Sequence, residues 1–159
     1  MLESLITSKT RLRLLIKFFL NIANQGYLNS LANEFGESTN SVRKELNNLS
    51  SAGYLEKHSE NNKVIYKANA SQPLFKIIQK IVHKHLGIEE ILETVYNRIG
   101  DVKKIIILGD YAKGIDSGLI EILIVGDNIN KEYLDEISPK IELKIKRKVS
   151  FFVSNSTLK

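Results

Sequence analysis

Cysteine is absent from the 159-residue chain. That excludes disulfides, thiolate zinc sites and cysteine nucleophiles. It fits a reducing compartment, so a cytoplasmic location is expected. No apolar run approaches the roughly 18 residues that cross a bilayer, and no membrane partner is expected. The opening stretch MLESLITSKTRLRLLIKFFLNI is apolar only in pieces. Lys9, Arg11, Arg13 and Lys17 interrupt it and no small-residue cleavage site follows, so it is not expected to be a signal peptide. There is no internal repeat and no low-complexity tract. Acidic residues are scarce in one half of the chain. Residues 1–87 hold 12 Lys and Arg against 6 Asp and Glu, a net charge of +6. Residues 88–159 hold 11 against 12, a net charge of −1. The positive excess lies wholly in the first half, where it marks either a polyanion partner or a basic solvated surface.

Hydrophobic residues make up 43% of the chain and charged residues 26%, enough to build a core and ordinary for a globular protein. Leu12, Leu15, Ile16, Phe19, Leu20 and Ala23 recur at helical spacing and predict a helix over 8–24. Ser8 or Thr10 can cap its start, and Gly26 stands beyond its end. A short helix follows at 28–35, broken by Gly36. Ser38 or Thr39 caps a third helix with Val42, Leu46 and Leu49 on its buried stripe, ended by Gly53. Tyr54–His58 and Val64–Ala68 alternate as strands around a polar turn at Ser59–Lys63, which makes a hairpin. Pro73 opens a helix to residue 86 with a wide apolar face from Leu74, Ile77, Ile78, Ile81 and Val82. Gly87 is the expected hinge. Beyond it the pattern predicts a helix at Glu89–Ile99, a buried strand at Lys104–Leu108 and a strand at Glu121–Val125. A short helix at Lys131–Pro139, ended by the proline, and one or two strands within Glu142–Val153 complete the chain.

A helix seated in the DNA major groove shows short polar and cationic side chains opposite its apolar stripe. With Val42, Leu46 and Leu49 turned inward, the third helix presents Ser38, Thr39, Asn40, Arg43, Lys44 and Asn47. Arg and Asn are the types that reach base edges, whereas Ser, Thr and Lys more often hold phosphates. The hairpin adds Lys57, Asn62 and Lys63, placed for backbone or minor-groove contacts. The order helix, helix, helix, hairpin, helix, carried by LANEFGESTNSVRKELNNLSSAGYLEKHSENNKVIYKAN, resembles the arsenic-repressor-like (ArsR-like) winged helix-turn-helix family. That resemblance implies double-stranded DNA as partner. It also implies a homodimer through the first and last helices, with two recognition helices about one helical turn apart. Some members of that family sense metals, but His83 and His85 are two apart and point to different faces of a helix, and His58 lies in the hairpin. No metal and no cofactor is expected.

The second half contains ILGDYAKGIDSGLIEILIVGD, residues 107–127: a strand, a glycine turn, a polar loop and a second strand. Gly109, Ala112 and Gly114 in this frame, with EILIVGD after it, resemble the minimal nucleotidyltransferase family. The resemblance spans roughly residues 89–153. Family members hold Mg²⁺ with an Asp-x-Asp pair, whose two carboxylates share one face of a strand, and a third acid on a neighbouring strand. Here Leu119 and Glu121 fall at the pair, Ser150 falls at the third acid, and Asp110 replaces the serine that grips phosphate. Asp116 can approach Asp110 across the loop, but that is not the same-face pair. The resemblance therefore implies an inherited scaffold without catalysis. The remaining cleft, near Gly109, Lys113 and Gly114, is left to ligand sensing, to a protein partner or to extending the dimer.

The expected protein is α+β, a winged helix-turn-helix over 1–87 followed by a small α/β nucleotidyltransferase-like domain over 88–159. Its expected role is that of a sequence-specific transcriptional regulator and not an enzyme. The alternatives are an active nucleotidyltransferase with an accessory winged helix, or a protein-interaction module that leaves DNA alone.

Overall fold

The computed structural model describes residues 1–155; the end of the expected second domain, residues 156–159, lies outside the described residues. The chain is α+β and divides into two compact units. One is Met1–Val82 with Lys113–Ile115, and the other is His83–Ala112 with the chain from Asp116 onward.

The first unit opens with a 3-10 turn at Leu2–Ser4, followed by α1, Lys9–Leu20. The Ser8 hydroxyl caps α1 by accepting from the Arg11 N–H at 3.1 Å. The helix stops short of residue 24. Asn21 takes extended dihedrals, φ −136° and ψ 109°, and the Asn24 side-chain amide donates to the Lys17 carbonyl at 2.8 Å. The Asn24 amide thus satisfies the Lys17 carbonyl, which another helical turn would have paired. The chain then pairs as β1, Gln25–Gly26, a two-residue strand too short to leave a periodicity. Next come α2, Leu28–Phe35, and α3, Thr39–Ser51. Gly36 ends α2 in the left-handed region, and the Ser38 hydroxyl caps α3 by accepting from the Ser41 N–H at 3.2 Å.

The hairpin is β2, Leu55–Glu60, and β3, Lys63–Ala68. Its strands are longer and its turn tighter than the sequence pattern suggests. Only Asn61 and Asn62 turn, both with positive φ (49° and 62°), the requirement of a two-residue hairpin of the primed class, which asparagine tolerates. The sheet order is β1-β3-β2. α4, Phe75–Leu86, follows two residues after Pro73, and the line between the units falls within it. Phe18, Phe19, Leu14, Leu31 and Leu46 are fully buried. The rings of Phe19 and Phe75 meet at 5.6 Å.

The second unit contains α5, Ile88–Arg98; β4, Asp101–Leu108; α6, Gly109–Ala112; β5, Leu119–Asp127; α7, Lys131–Ile145; and β6, Lys148–Ser154. β5 is central, antiparallel to β4 and parallel to β6, so α7 is the crossover between parallel strands. α5 and α7 pack together, α5 against β4 and α7 against β6. Ile120, Ile122 and Ile124 alternate along β5 and are buried.

Two expectations fail here. β4 is an edge strand, and none of its residues is fully buried, because only β5 pairs with it. Pro139 does not end a helix. α7 runs through it, and β6 starts only at Lys148. Leu134, Ile137, Ile141 and Ile145 form a buried stripe across the proline, which lies on the exposed side. Burial of that stripe outweighs a lost backbone hydrogen bond at a solvated position.

Pro139→Ala restores the missing N–H without touching the core. It is expected to stabilise the protein by about 1–2 kcal/mol, below the full helix-interior penalty of proline because the unfolded chain also gains freedom. Urea unfolding followed by circular dichroism measures the change.

Candidate functional sites

The charge of the first unit is sorted by its ion pairs. Three of the four cations of α1 each meet a glutamate of α2, of α3 or of the turn between them. Arg11 Nε donates to Glu45 at 2.7 Å, Arg13 Nη1 lies 2.7 Å from Glu37, and Lys17 Nζ donates to Glu34 at 2.9 Å. Glu45 is 6% exposed, yet its carboxylate also accepts from the Ser8 hydroxyl at 3.3 Å. Thr10 donates to Glu37. In the hairpin, Glu56 pairs with Lys67 at 3.1 Å and Glu60 meets His58 at 3.3 Å. Among the described residues of this unit, each glutamate beyond the N-terminal turn therefore has a basic partner.

The cations without an acidic partner among the described residues include Arg43 and Lys44 on α3 and Lys57 and Lys63 in the hairpin. All nine side chains expected to meet DNA are exposed. The outward face of α3 carries no carboxylate, because its one acid, Glu45, points inward to α1. Arg43 Nη1 donates to Asn40 Oδ1 at 2.9 Å, which fixes the guanidinium beside the first turn. The Ser38 hydroxyl caps α3 and donates to Ser41 Oγ at 3.0 Å, so its first task is structural. Lys63 Nζ sits 4.1 Å above the centre of the Tyr27 ring, a cation–π contact that ties the hairpin turn to the start of α2. Tyr27 left no signal in the sequence because the contact joins residues 36 positions apart.

The same unit has an apolar groove of about 350 Å³, lined by Leu2, Ile6, Leu15, Leu49, Ile78 and Val82. Ile81, which also lines it, and Ile77 stand exposed on α4, and Leu74 stands exposed just before the helix.

In the second unit, cross-strand register brings three of the expected positions into neighbouring places. Glu121 pairs with Leu108 on one side and Ser150 on the other, and Leu119 lies two residues earlier on the same strand. Gly109 follows Leu108 with φ 64°, and a Cβ there would collide with the Glu121 carboxylate. The positive φ favours glycine there, whereas the Glu121 carboxylate, at the end of a flexible side chain, can give way. Asp110 is exposed on α6, while Lys113 and Gly114 belong to the segment grouped with the first unit. Glu121 is the single carboxylate of the Leu108–Glu121–Ser150 row. Among the described residues, no group of three or more His, Asp or Glu could hold a metal ion. No helix there is long and apolar enough to cross a membrane.

Asp116 is not available to pair with Asp110. Arg147 grips it with both prongs, Nε to Oδ1 at 2.8 Å and Nη2 to Oδ2 at 2.7 Å. The buried Tyr111 hydroxyl also donates to Oδ1 and accepts from the Gly118 N–H at 3.0 Å. Arg147 Nη1 further donates to the carbonyls of His85 at 3.2 Å and Ile145 at 3.1 Å. Burial opposes the Asp116 charge, but the hydrogen bonds from Arg147 and Tyr111 outweigh it and hold its carboxyl below the usual range. Burial and the Asp116 hydrogen bond push the Tyr111 phenol upward. Neither Tyr111 nor Arg147 stood out in the sequence, since one reads as a loop aromatic and the other as part of a basic run.

No protein-family model matches the chain, and neither does any curated protein. Among solved structures it is similar to Sso10a-2, a DNA-binding protein from Sulfolobus solfataricus, at 17% identity over 55% of this chain and 88% of that one. The TM-score is 0.37, too low to establish a shared fold.

Arg147→Ala strands the Asp116 charge and is expected to cost about 1–2 kcal/mol, between a surface pair and a fully buried one. The lowered Asp116 carboxyl contributes stability that is complete above the unfolded carboxylate range and is lost as pH falls through its folded value. Asp116→Asn should therefore flatten the acid limb of a pH series of denaturant midpoints. An unchanged limb would show that the clamp does not couple folding to protonation.

Proposed function

We propose that the protein is a sequence-specific DNA-binding regulator. In this reading the first unit is a winged helix-turn-helix that acts as a homodimer, and the second is a nucleotidyltransferase-like scaffold without catalysis. The observation that carries the proposal is the sorting of charge in the first unit. α1 neutralises Glu34, Glu37 and Glu45 internally, which leaves an acid-free α3 face flanked by the lysines of the hairpin. Such a face suits the major groove, with the hairpin turn at Asn61–Asn62 reaching the flanking backbone.

Arg43 and Asn40, joined by their hydrogen bond, are assigned to base edges, with Asn47 beside them. Thr39, Lys44, Lys57 and Lys63 are assigned to phosphates, with Ser38 and Asn62 at the margins. The apolar groove and the exposed Leu74, Ile77 and Ile81 support a two-fold contact along α4, because isolated monomers rarely leave such continuous apolar surface open.

For the second unit, the absence of catalysis is supported by residue chemistry. Leu119 has no ligand atom for Mg²⁺, Ser150 is a poor one, and Asp116 is committed to Arg147. Glu121 alone makes a weak metal site.

Fluorescence anisotropy on the DNA upstream of the gene and on a scrambled duplex, across a salt series, tests the first unit. The native duplex should bind more tightly, with the preference persisting at about 0.2 M salt. No binding at low salt would favour a protein-interaction module. Arg43→Ala should cost about 1–3 kcal/mol on the native site and little on the scrambled one. Ile77→Glu with Ile81→Glu should yield a monomer in sedimentation with weakened operator binding. Incubation with labelled nucleotides and Mg²⁺ or Mn²⁺ should give no transfer, and transfer abolished by Glu121→Ala would establish an enzyme instead.

A further inference from the structure

The second unit carries a strongly segregated charge that the regulator reading does not use. Residues 140–148, KIELKIKRK, contain five cations and one acid, a net charge of +4. The rest of residues 88–159 then carries −5. Glu142 remains as its one negative charge, and Arg147 is neutralised by Asp116, so the four lysines carry the excess. The Glu142 carboxylate accepts from the Val149 N–H at 2.9 Å, and Arg147 is held by Asp116. Lys140, Lys144, Lys146 and Lys148 are exposed and have no ion pair among the described residues. The helix dipole accounts for Lys144, the basic residue of the last turn of α7, but Lys140 stands a turn earlier and Lys148 begins β6.

The placement of these lysines is constrained. Lys146 caps α7 in the left-handed region with φ 59°, and Lys148 is locked in register opposite Leu119 while its N–H bonds the Gly118 carbonyl at 2.8 Å. Lys146 and Lys148 line an open cleft of about 560 Å³ together with Arg147, Glu142, Gly118, Pro139 and Leu143. Like charges within a Debye length repel one another, and here the fold holds four lysines together with Glu142 as the one acid of the segment. A phosphodiester backbone supplies the missing charge at regular spacing, and lysines meet it without demanding a fixed geometry.

We infer that the Lys140–Lys148 surface is a second contact for the phosphate backbone of DNA, separate from the α3 face and indifferent to base sequence. The inference rests on the DNA-binding reading of the first unit. The surface adds affinity and salt dependence, while discrimination between sequences stays with α3.

The test uses the full-length protein with Lys140, Lys144, Lys146 and Lys148 all changed to Gln, and a parallel variant with all four changed to Arg. Circular dichroism and thermal unfolding establish that both are folded. Each is titrated with the native and scrambled duplexes from low to moderate salt, beside the wild type and Arg43→Ala. The expected result for the Gln variant is a shallower plot of log affinity against log salt. Its slope should fall by about 2–4, near 0.9 for each lost phosphate contact, with the ratio of native to scrambled affinity unchanged. The Arg variant should keep the wild-type slope. An unchanged slope in the Gln variant, with Arg43→Ala still weakening the native site, would overturn this surface and leave the first-unit reading intact. Loss of binding to phosphatidylserine vesicles with no change on DNA would overturn it in favour of an anionic membrane surface. A wild type that binds neither duplex would overturn both readings.

Discussion

Arg11, Arg13 and Lys17 stand along α1, and each reaches a glutamate of α2, α3 or the turn between them. These pairs do two things at once. They hold the first helix against the next two, with the deepest partner, Glu45, bound by both Arg11 and Ser8. They also remove negative charge from the surface that α3 presents. A buried carboxylate without its cation would be costly, so the orientation of α3 and the sign of its outer face are decided by the same contacts. The hydrophobic stripe of Val42, Leu46 and Leu49 then packs a helix whose polar side is already free of acids.

The second unit has a comparable constraint in the grip of Arg147 on Asp116. That pair, with Tyr111 beneath it, closes the loop between α6 and β5 and ties it to the turn between α7 and β6. Asp116 is thereby committed to holding the loop. The consequence reaches further, since Asp116 is spent on Arg147 and the neighbouring four lysines are left with Glu142 as the one acid of their segment.

Much of the first unit was legible in the sequence. The caps, read as Ser8 or Thr10 and Ser38 or Thr39, the stop at Gly36 and the polar turn within Ser59–Lys63 act over a few residues, and their signals are local, although the narrowing of that turn to Asn61 and Asn62 was not legible. Both misread segments of the second unit depended on distant packing. Pro139 reads locally as a stop, but Leu134, Ile137, Ile141 and Ile145 carry α7 past it once the sheet is there to bury them. The strand at Lys104–Leu108 reads as buried because it is apolar, yet its place at the sheet edge follows from strand order, which no periodicity records.

The sequence by itself determined the succession of helices and the hairpin in the first unit, though not the two-residue strand β1, the excess of positive charge there, and the lack of carboxylates at Leu119 and Ser150, since residue type and short-range spacing suffice for each. The tertiary structure alone decided which charges remain unpaired. Arg11 meets Glu45 across 34 residues and Arg147 meets Asp116 across 31. Such pairs form only when the chain folds back on itself, and Coulomb energy depends on distance in space and not on position along the chain.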